Sequence, residues 1–126
     1  MDVPQTPGDW RYETSSRGSA AIYGAGPSDT LFKITCDPRT HYVGFARTGT
    51  FTNDAALTVR TESATRTLPV PPVGDTSALI ASLNANDPLL DAMAFSKGRF
   101  AIEAKGASTL YLPSWPEVTR VIEDCR

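Results

Sequence analysis

Two cysteines, Cys36 and Cys125, and one histidine, His41, bound most of the chemistry open to this sequence. A serine or cysteine nucleophile ordinarily takes its base from a histidine within hydrogen-bond reach. His41 instead follows Arg39-Thr40 at a turn between two strand-like segments, where a solvated ring is the default. No Gly-x-Ser-x-Gly elbow occurs. The cysteines and the histidine lie in separate segments and lack the paired spacing of a zinc site. There is no Cys-x-x-Cys for thiol exchange. Gly24-Ala25-Gly26 lacks both the third glycine of a dinucleotide fingerprint and a helix after it, so it reads as a turn. The sequence therefore assigns no catalytic residue, metal ligand or cofactor contact.

Acidic groups are numerous, and two of them converging across a cleft would make a glycosidase-like hydrolase. Each has a structural position as well: Asp87 and Glu117 read as helix caps, Glu13 and Glu103 as outward strand residues. Trp10, Trp115, Tyr23, Tyr42 and Tyr111 could form a recognition surface, although such rings more often fill cores. The candidates for an exposed binding surface are Trp115, in the strand-to-helix corner Pro113-Ser114-Trp115-Pro116, and Tyr111 just before it.

Positioning these side chains falls to short strands divided by turn residues. Trp10 and Tyr12 share one face of the first strand, Arg11 and Glu13 the other. A turn over 15–19 leads to a segment over 20–23, and Gly24, Gly26, Pro27, Ser28 and Asp29 mark the next turn. Residues 31–36 put Phe32, Ile34 and Cys36 on one face and Lys33 and Thr35 on the other, and Asp37-Pro38 ends the strand. Strands are expected over 42–46 and 57–61, with Gly49 and Asn53-Asp54 between them. Residues 66–70 make a poorer strand running into Pro69, Pro71 and Pro72, which places it at an edge or as its exit loop. Residues 78–83 fit strand or helix equally.

Asp87-Pro88 reads as the N-cap and first residue of a short helix near 88–96, with Leu89, Leu90, Met93 and Ala94 as its apolar stripe. Over 99–104, Phe100, Ile102 and Ala104 alternate inward, and Lys105-Gly106 turns the chain back into 110–112 as a hairpin. Ser114 and Glu117 have capping-box spacing at the start of a C-terminal helix near 115–125. Val118, Val121, Ile122 and Cys125 form its apolar face, and Arg120, Glu123 and Asp124 face water. The pattern predicts an α+β fold, mainly antiparallel β, built as a sandwich or partly open barrel. It forms one domain over 1–126 with a flexible N-terminal segment over 1–8.

Cys36 and Cys125 each lie on a core-facing stripe, which predicts a disulfide between them. Such a bond closes a loop of about 90 residues, worth roughly 4 to 5 kcal/mol on the chain-entropy model. It implies an oxidising compartment, periplasmic or secreted. The first eight residues are polar and contain Pro4 and Pro7, so no signal peptide is read there. That fits a mature exported chain whose leader has been removed.

The composition, 40% hydrophobic and 21% charged, is ordinary for a soluble fold. Twelve basic and 14 acidic residues give a net charge of -2, and the basic ones are scattered singly, which argues against a nucleic-acid partner. No apolar run approaches the roughly 20 residues of a transmembrane segment. From Leu79 onward, three stretches carry a resemblance: Asp87-Pro88-Leu89-Leu90, Met93-Ala94-Phe95-Ser96 and Gly98-Arg99-Phe100. The closing Trp115-Pro116-Glu117-Val118 and Val121-Ile122-Glu123-Asp124-Cys125 share it. Together they resemble small exported bacterial proteins of unknown function. The Leu- and Met-bearing segment followed by a Gly-x-Phe strand is also similar to the invasion-associated locus B family of periplasmic β-rich proteins. The resemblance covers under half of the chain and implies export and fold class, with no catalytic motif. The expected function is that of a non-enzymatic exported protein binding a protein or envelope component. A small hydrolase with converging carboxylates and an inhibitor of a lytic enzyme are the alternatives.

Overall fold

The first hairpin sets the geometry beside the predicted disulfide. The computed structural model describes residues 3–52, 55–70 and 77–126. In it β1 (Asp9–Ser15) and β2 (Gly18–Gly24) pair around the two-residue loop Ser16-Arg17. Gly18 is obligatory, because its φ is 142° and a Cβ there would stand 2.0 Å from the Cys36 carbonyl oxygen. β3 (Phe32–Asp37) and β4 (Tyr42–Thr48) extend the sheet. Their turn has the Thr40 and His41 N–H groups donating to the Asp37 carbonyl.

β5 (Leu57–Arg60) and β6 (Thr65–Leu68) then form a separate hairpin. β7 (Ala78–Asn84) returns to the first sheet beside β4, and α1 (Pro88–Ala94) follows it. β8 (Arg99–Ala104) and β9 (Leu110–Pro113) complete the second sheet, and α2 (Pro116–Asp124) closes the chain. All pairings are antiparallel, in the orders β1-β2-β3-β4-β7 and β6-β5-β8-β9. The fold is therefore α+β and mainly antiparallel, in the open-sandwich form rather than the barrel.

Alternation fills one continuous core between the sheets. Ile34, Val43 and Phe45 from the first sheet share it with Leu57, Val59, Phe100, Ile102 and Leu112 from the second. Trp10 ties the two together: its ring stacks on Phe100 at 6.5 Å, and its indole N–H donates to the Pro113 carbonyl at 2.7 Å. α2 packs on β1, β2 and β3, burying Val118, Val121, Ile122 and Cys125 as their spacing predicts. Residues 78–83 are strand because Leu79, Ala81 and Leu83 alternate into this core. The poorer strand is real, over Thr65–Leu68, and lies at an edge.

The capping box at α2 is corrected. Trp115 occupies the N-cap with no side-chain cap bond. The chain leaving β9 runs against the end of α1, where the Ser114 N–H donates to the Gly98 carbonyl. The Ser114 hydroxyl is thereby turned to the Met93 carbonyl at 2.9 Å, an acceptor in the last turn of α1 that also receives the Ser96 N–H at 3.4 Å. Residues 5–8, read as part of a flexible segment, make defined bonds. The Thr6 N–H donates to the Tyr111 carbonyl at 2.9 Å, and the Thr6 hydroxyl accepts from the Tyr111 N–H at 2.8 Å. The Tyr23 hydroxyl reaches the Thr6 and Gly8 carbonyls. The Asn53-Asp54 turn, Pro71-Pro72 and Met1 lie outside the described residues.

Candidate binding surface

Cys36 and Cys125 are bonded, with Cα atoms 5.5 Å apart, and both are buried. Around this bond the C-terminus is fixed on two sides. The His41 ring sets Nδ1 2.9 Å from the Cys125 carbonyl oxygen. Arg126 donates to the Ala85 carbonyl at 2.8 Å and pairs with Asp91 at 2.8 Å. His41 is exposed, as a turn residue should be, yet it has a left-handed φ of 57° and bridges to a residue 84 positions away. Its ring meets a carbonyl, and that contact has no local sequence signal.

Several of the carboxylates are engaged with cations, backbone or hydroxyls. Asp87 caps α1 through the Leu89 N–H at 2.9 Å and receives Arg66 bidentately at 2.8 and 2.7 Å. The Arg66 guanidinium, with the Leu89 N–H behind it, holds this carboxyl below the usual carboxylate range against the opposing effect of burial. Glu103 pairs with Arg60 at 3.3 Å and Glu13 with Arg11 at 3.1 Å. Glu117 lies in the first turn of α2. Asp124 accepts from the Ser19 hydroxyl at 2.7 Å and from the Tyr12 hydroxyl, while Arg120 lies 4.0 Å above the Tyr12 ring. The exposed face of α2 thus roofs the end of the first hairpin. Among the described residues, no three His, Cys, Asp or Glu side chains gather as a metal site would need.

Arg47 is a buried cation that sequence reading passed over. It lies in phase with Val43 and Phe45 on β4, which was the available signal, and it is 6% exposed. Its guanidinium donates to the Thr48 and Ser108 carbonyls, and among the described residues its Nε has no hydrogen-bond partner. Burial pushes its pKa down. Through Ser108 it pins the first sheet to the β8–β9 loop.

The outer face of β1–β3 carries a broad open groove of about 880 Å³ whose walls include Glu13, Arg17, Lys33, Thr35, Asp37 and Arg39. Mixed charge and hydroxyls in an open trough give it no dry enclosure for chemistry. Trp115 and Tyr111 are both half-buried. Trp115 packs against the core, and Tyr111 has its main chain tied to Thr6.

Among the described residues, the large apolar side chains left in water are others: Phe95 at 78% exposure, Tyr42 and Ile80 at 51% each, and Val3. Phe95 is the C-cap of α1, one step beyond the stripe of Leu89, Leu90 and Met93, which is why it points away from the core. It borders a shallow groove of about 380 Å³ with Glu62, Ser63, Pro88, Asp91 and Ala92. The groove wall is fixed. The Ser96 hydroxyl donates to the Ala92 carbonyl at 3.0 Å and accepts from the Glu62 N–H at 3.2 Å. The Glu62 carboxylate accepts from the Lys97 N–H at 3.1 Å.

No described helix is long and apolar enough to cross a membrane. Compared with protein-family models, with curated proteins and with solved structures, the chain gives no match.

Proposed function

We propose that this is a non-enzymatic exported protein, periplasmic or secreted, that binds an envelope protein through the Phe95 end of α1. The carrying observation is Phe95 itself, a ring 78% exposed on a firmly held helix end. Leaving a phenylalanine in water forgoes about 1.5 to 3 kcal/mol that a partner's pocket would recover. Glu62 and Asp91 flank the ring's groove. The fitting partner offers an apolar pocket rimmed by basic groups. Trp115 belongs to the same corner, one residue beyond Ser114, which bonds to Met93 near the end of α1. The buried disulfide supports export, because such bonds persist in oxidising compartments. The resemblance carried by the segments from Leu79 onward agrees with that location. A protruding ring on a stapled scaffold also favours a second reading, in which Phe95 plugs the cleft of a lytic enzyme.

A photo-crosslinking side chain placed at Phe95 in cells tests the proposal, with the same group at exposed Thr67 as control. Phe95 should give one defined adduct that excess untagged protein competes away, and Thr67 should give none. The same adducts from both positions, or free Cys36 and Cys125 thiols in cell extracts quenched with an alkylating agent, would defeat it.

A further inference from the structure

An unpaired sheet edge presents backbone donors and acceptors to any passing strand, and the four edges here are treated unequally. β1 carries Asp9, Arg11 and Glu13 along its length. β6 has four residues and bears Arg66. β9 is held by Thr6 and ends in Pro113. Among the described residues β7 has none of these devices. Its seven residues, Ala78–Asn84, include no charge and no proline, and among the described residues it pairs with β4 alone.

Two hydrogen bonds fix which backbone groups of β7 face outward. The Gly49 N–H donates to the Ser77 carbonyl, and the Ala85 N–H donates to the His41 carbonyl. Odd-numbered residues therefore turn their N–H and C=O groups to β4, and Ala78, Ile80, Ser82 and Asn84 turn theirs to the edge. The Asn84 carbonyl is occupied by the Asp87 N–H. The same even-numbered residues carry their side chains to the outer face of the sheet, where Ile80 is half exposed.

We infer that the β7 edge is a homodimer interface, occupied by β7 of a second copy in antiparallel register about a two-fold axis at Ala81. In that register Ile80 stands opposite Ser82 of the second copy and Ala78 opposite its Asn84. Every strand residue is paired with no overhang. The two Ile80 side chains become diagonal neighbours on the outer face and cover each other. Self-pairing sets no like charges together, because β7 and the outward Tyr42, Gly44 and Ala46 beside it are all uncharged. A net charge of -2 adds little long-range repulsion between copies. A self-complementary strand is what an isologous two-fold contact requires.

Sedimentation equilibrium of the purified, oxidised chain over a wide concentration range should show a monomer–dimer equilibrium. Ile80→Lys should weaken it about tenfold or more with an unchanged circular dichroism spectrum. Thr67→Lys on the short β6 edge and Phe95→Ala should leave it intact, which separates this inference from the Phe95 reading. A mixture of Ile80→Cys and Ser82→Cys chains should form an intermolecular disulfide faster than either chain alone. A monomer at every concentration, a dimer indifferent to Ile80→Lys, or mixed chains that crosslink no faster than single ones would each overturn the inference.

Discussion

Asp87 uses one carboxylate for two tasks, capping α1 at Leu89 and clamping Arg66 of β6. It thereby ties an edge strand of the second sheet to the helix that follows the first. Its lowered pKa makes the contribution depend on pH. A carboxyl whose folded value is depressed stabilises the fold fully above the ordinary carboxylate range. That contribution is lost as pH falls through the folded value. Asp87→Asn keeps a good N-cap and loses the ion pair, whose Arg66 partner is 44% exposed. It should cost about 1 kcal/mol or less at neutral pH. Asp87→Ala should cost about 1 kcal/mol more, because it also loses the cap. Denaturation midpoints between neutral and acid pH check both: the Asn variant should lose part of the wild-type acid slope. An Asn variant that tracks the wild type throughout would show the pair to be idle.

At the scale of elements, α2 separates what spacing dictates from what a neighbour dictates. Val118, Val121, Ile122 and Cys125 were legible because their period is a property of the helix alone. The cap was not, because Ser114 is drawn away by Met93 on another helix, 21 residues earlier. A variant pair distinguishes the two roles of Ser114. As a cap it would accept Asp gladly; as a donor to a carbonyl it would not. Ser114→Ala should cost about 1 kcal/mol for the lost hydrogen bond, and Ser114→Asp should cost more, with its carboxylate facing the Met93 oxygen. Equal or better stability of the Asp variant would restore the capping-box reading. On the same helix, Ile122→Ala should cost roughly 2 to 5 kcal/mol for the cavity it leaves. Glu123→Gln should change the stability by about a few tenths of a kcal/mol, since Glu123 is exposed and its carboxylate, among the described residues, meets Arg126 alone at 3.4 Å. An order with Glu123 first would invert the face assignment.

Across the molecule, alternation and turn residues marked nearly every strand, because both act within a few neighbours. The edge position of β6 was legible from the prolines that follow it, but that of β7 was not, since it depends on how β7 crosses back to β4. Nor was the exposure of Ile80, which follows from that placement. Phe95 was legible in principle from its position off the α1 stripe. His41, read as a turn residue, gave no hint of the carbonyl it meets on α2.

The disulfide acts at the largest scale of all, because the Cys36–Cys125 separation of 89 residues encloses β4 to β9 and both helices. Two effects compete when it is removed. The folded state keeps the burial of Val118, Val121 and Ile122, so α2 retains its packing surface. The unfolded chain gains the freedom that the closed loop denied it, roughly 4 to 5 kcal/mol for a loop of this length. Since whole domains are stable by only about 5 to 15 kcal/mol, the second effect dominates. A nine-residue helix has no stability of its own, so α2 should leave with the rest of the fold rather than before it. The Cys36→Ala, Cys125→Ala double variant should therefore unfold in a single transition at a much lower denaturant midpoint. Its dependence on denaturant should be slightly steeper, because its unfolded chain exposes more surface. Unfolding followed by tryptophan fluorescence from Trp10 and Trp115 and by circular dichroism reads both quantities. If the Trp115 signal changed well before the sheet signal, α2 would be an independent flap held down by the bond. An unmoved midpoint would mean that the bond constrains nothing the packing does not already hold.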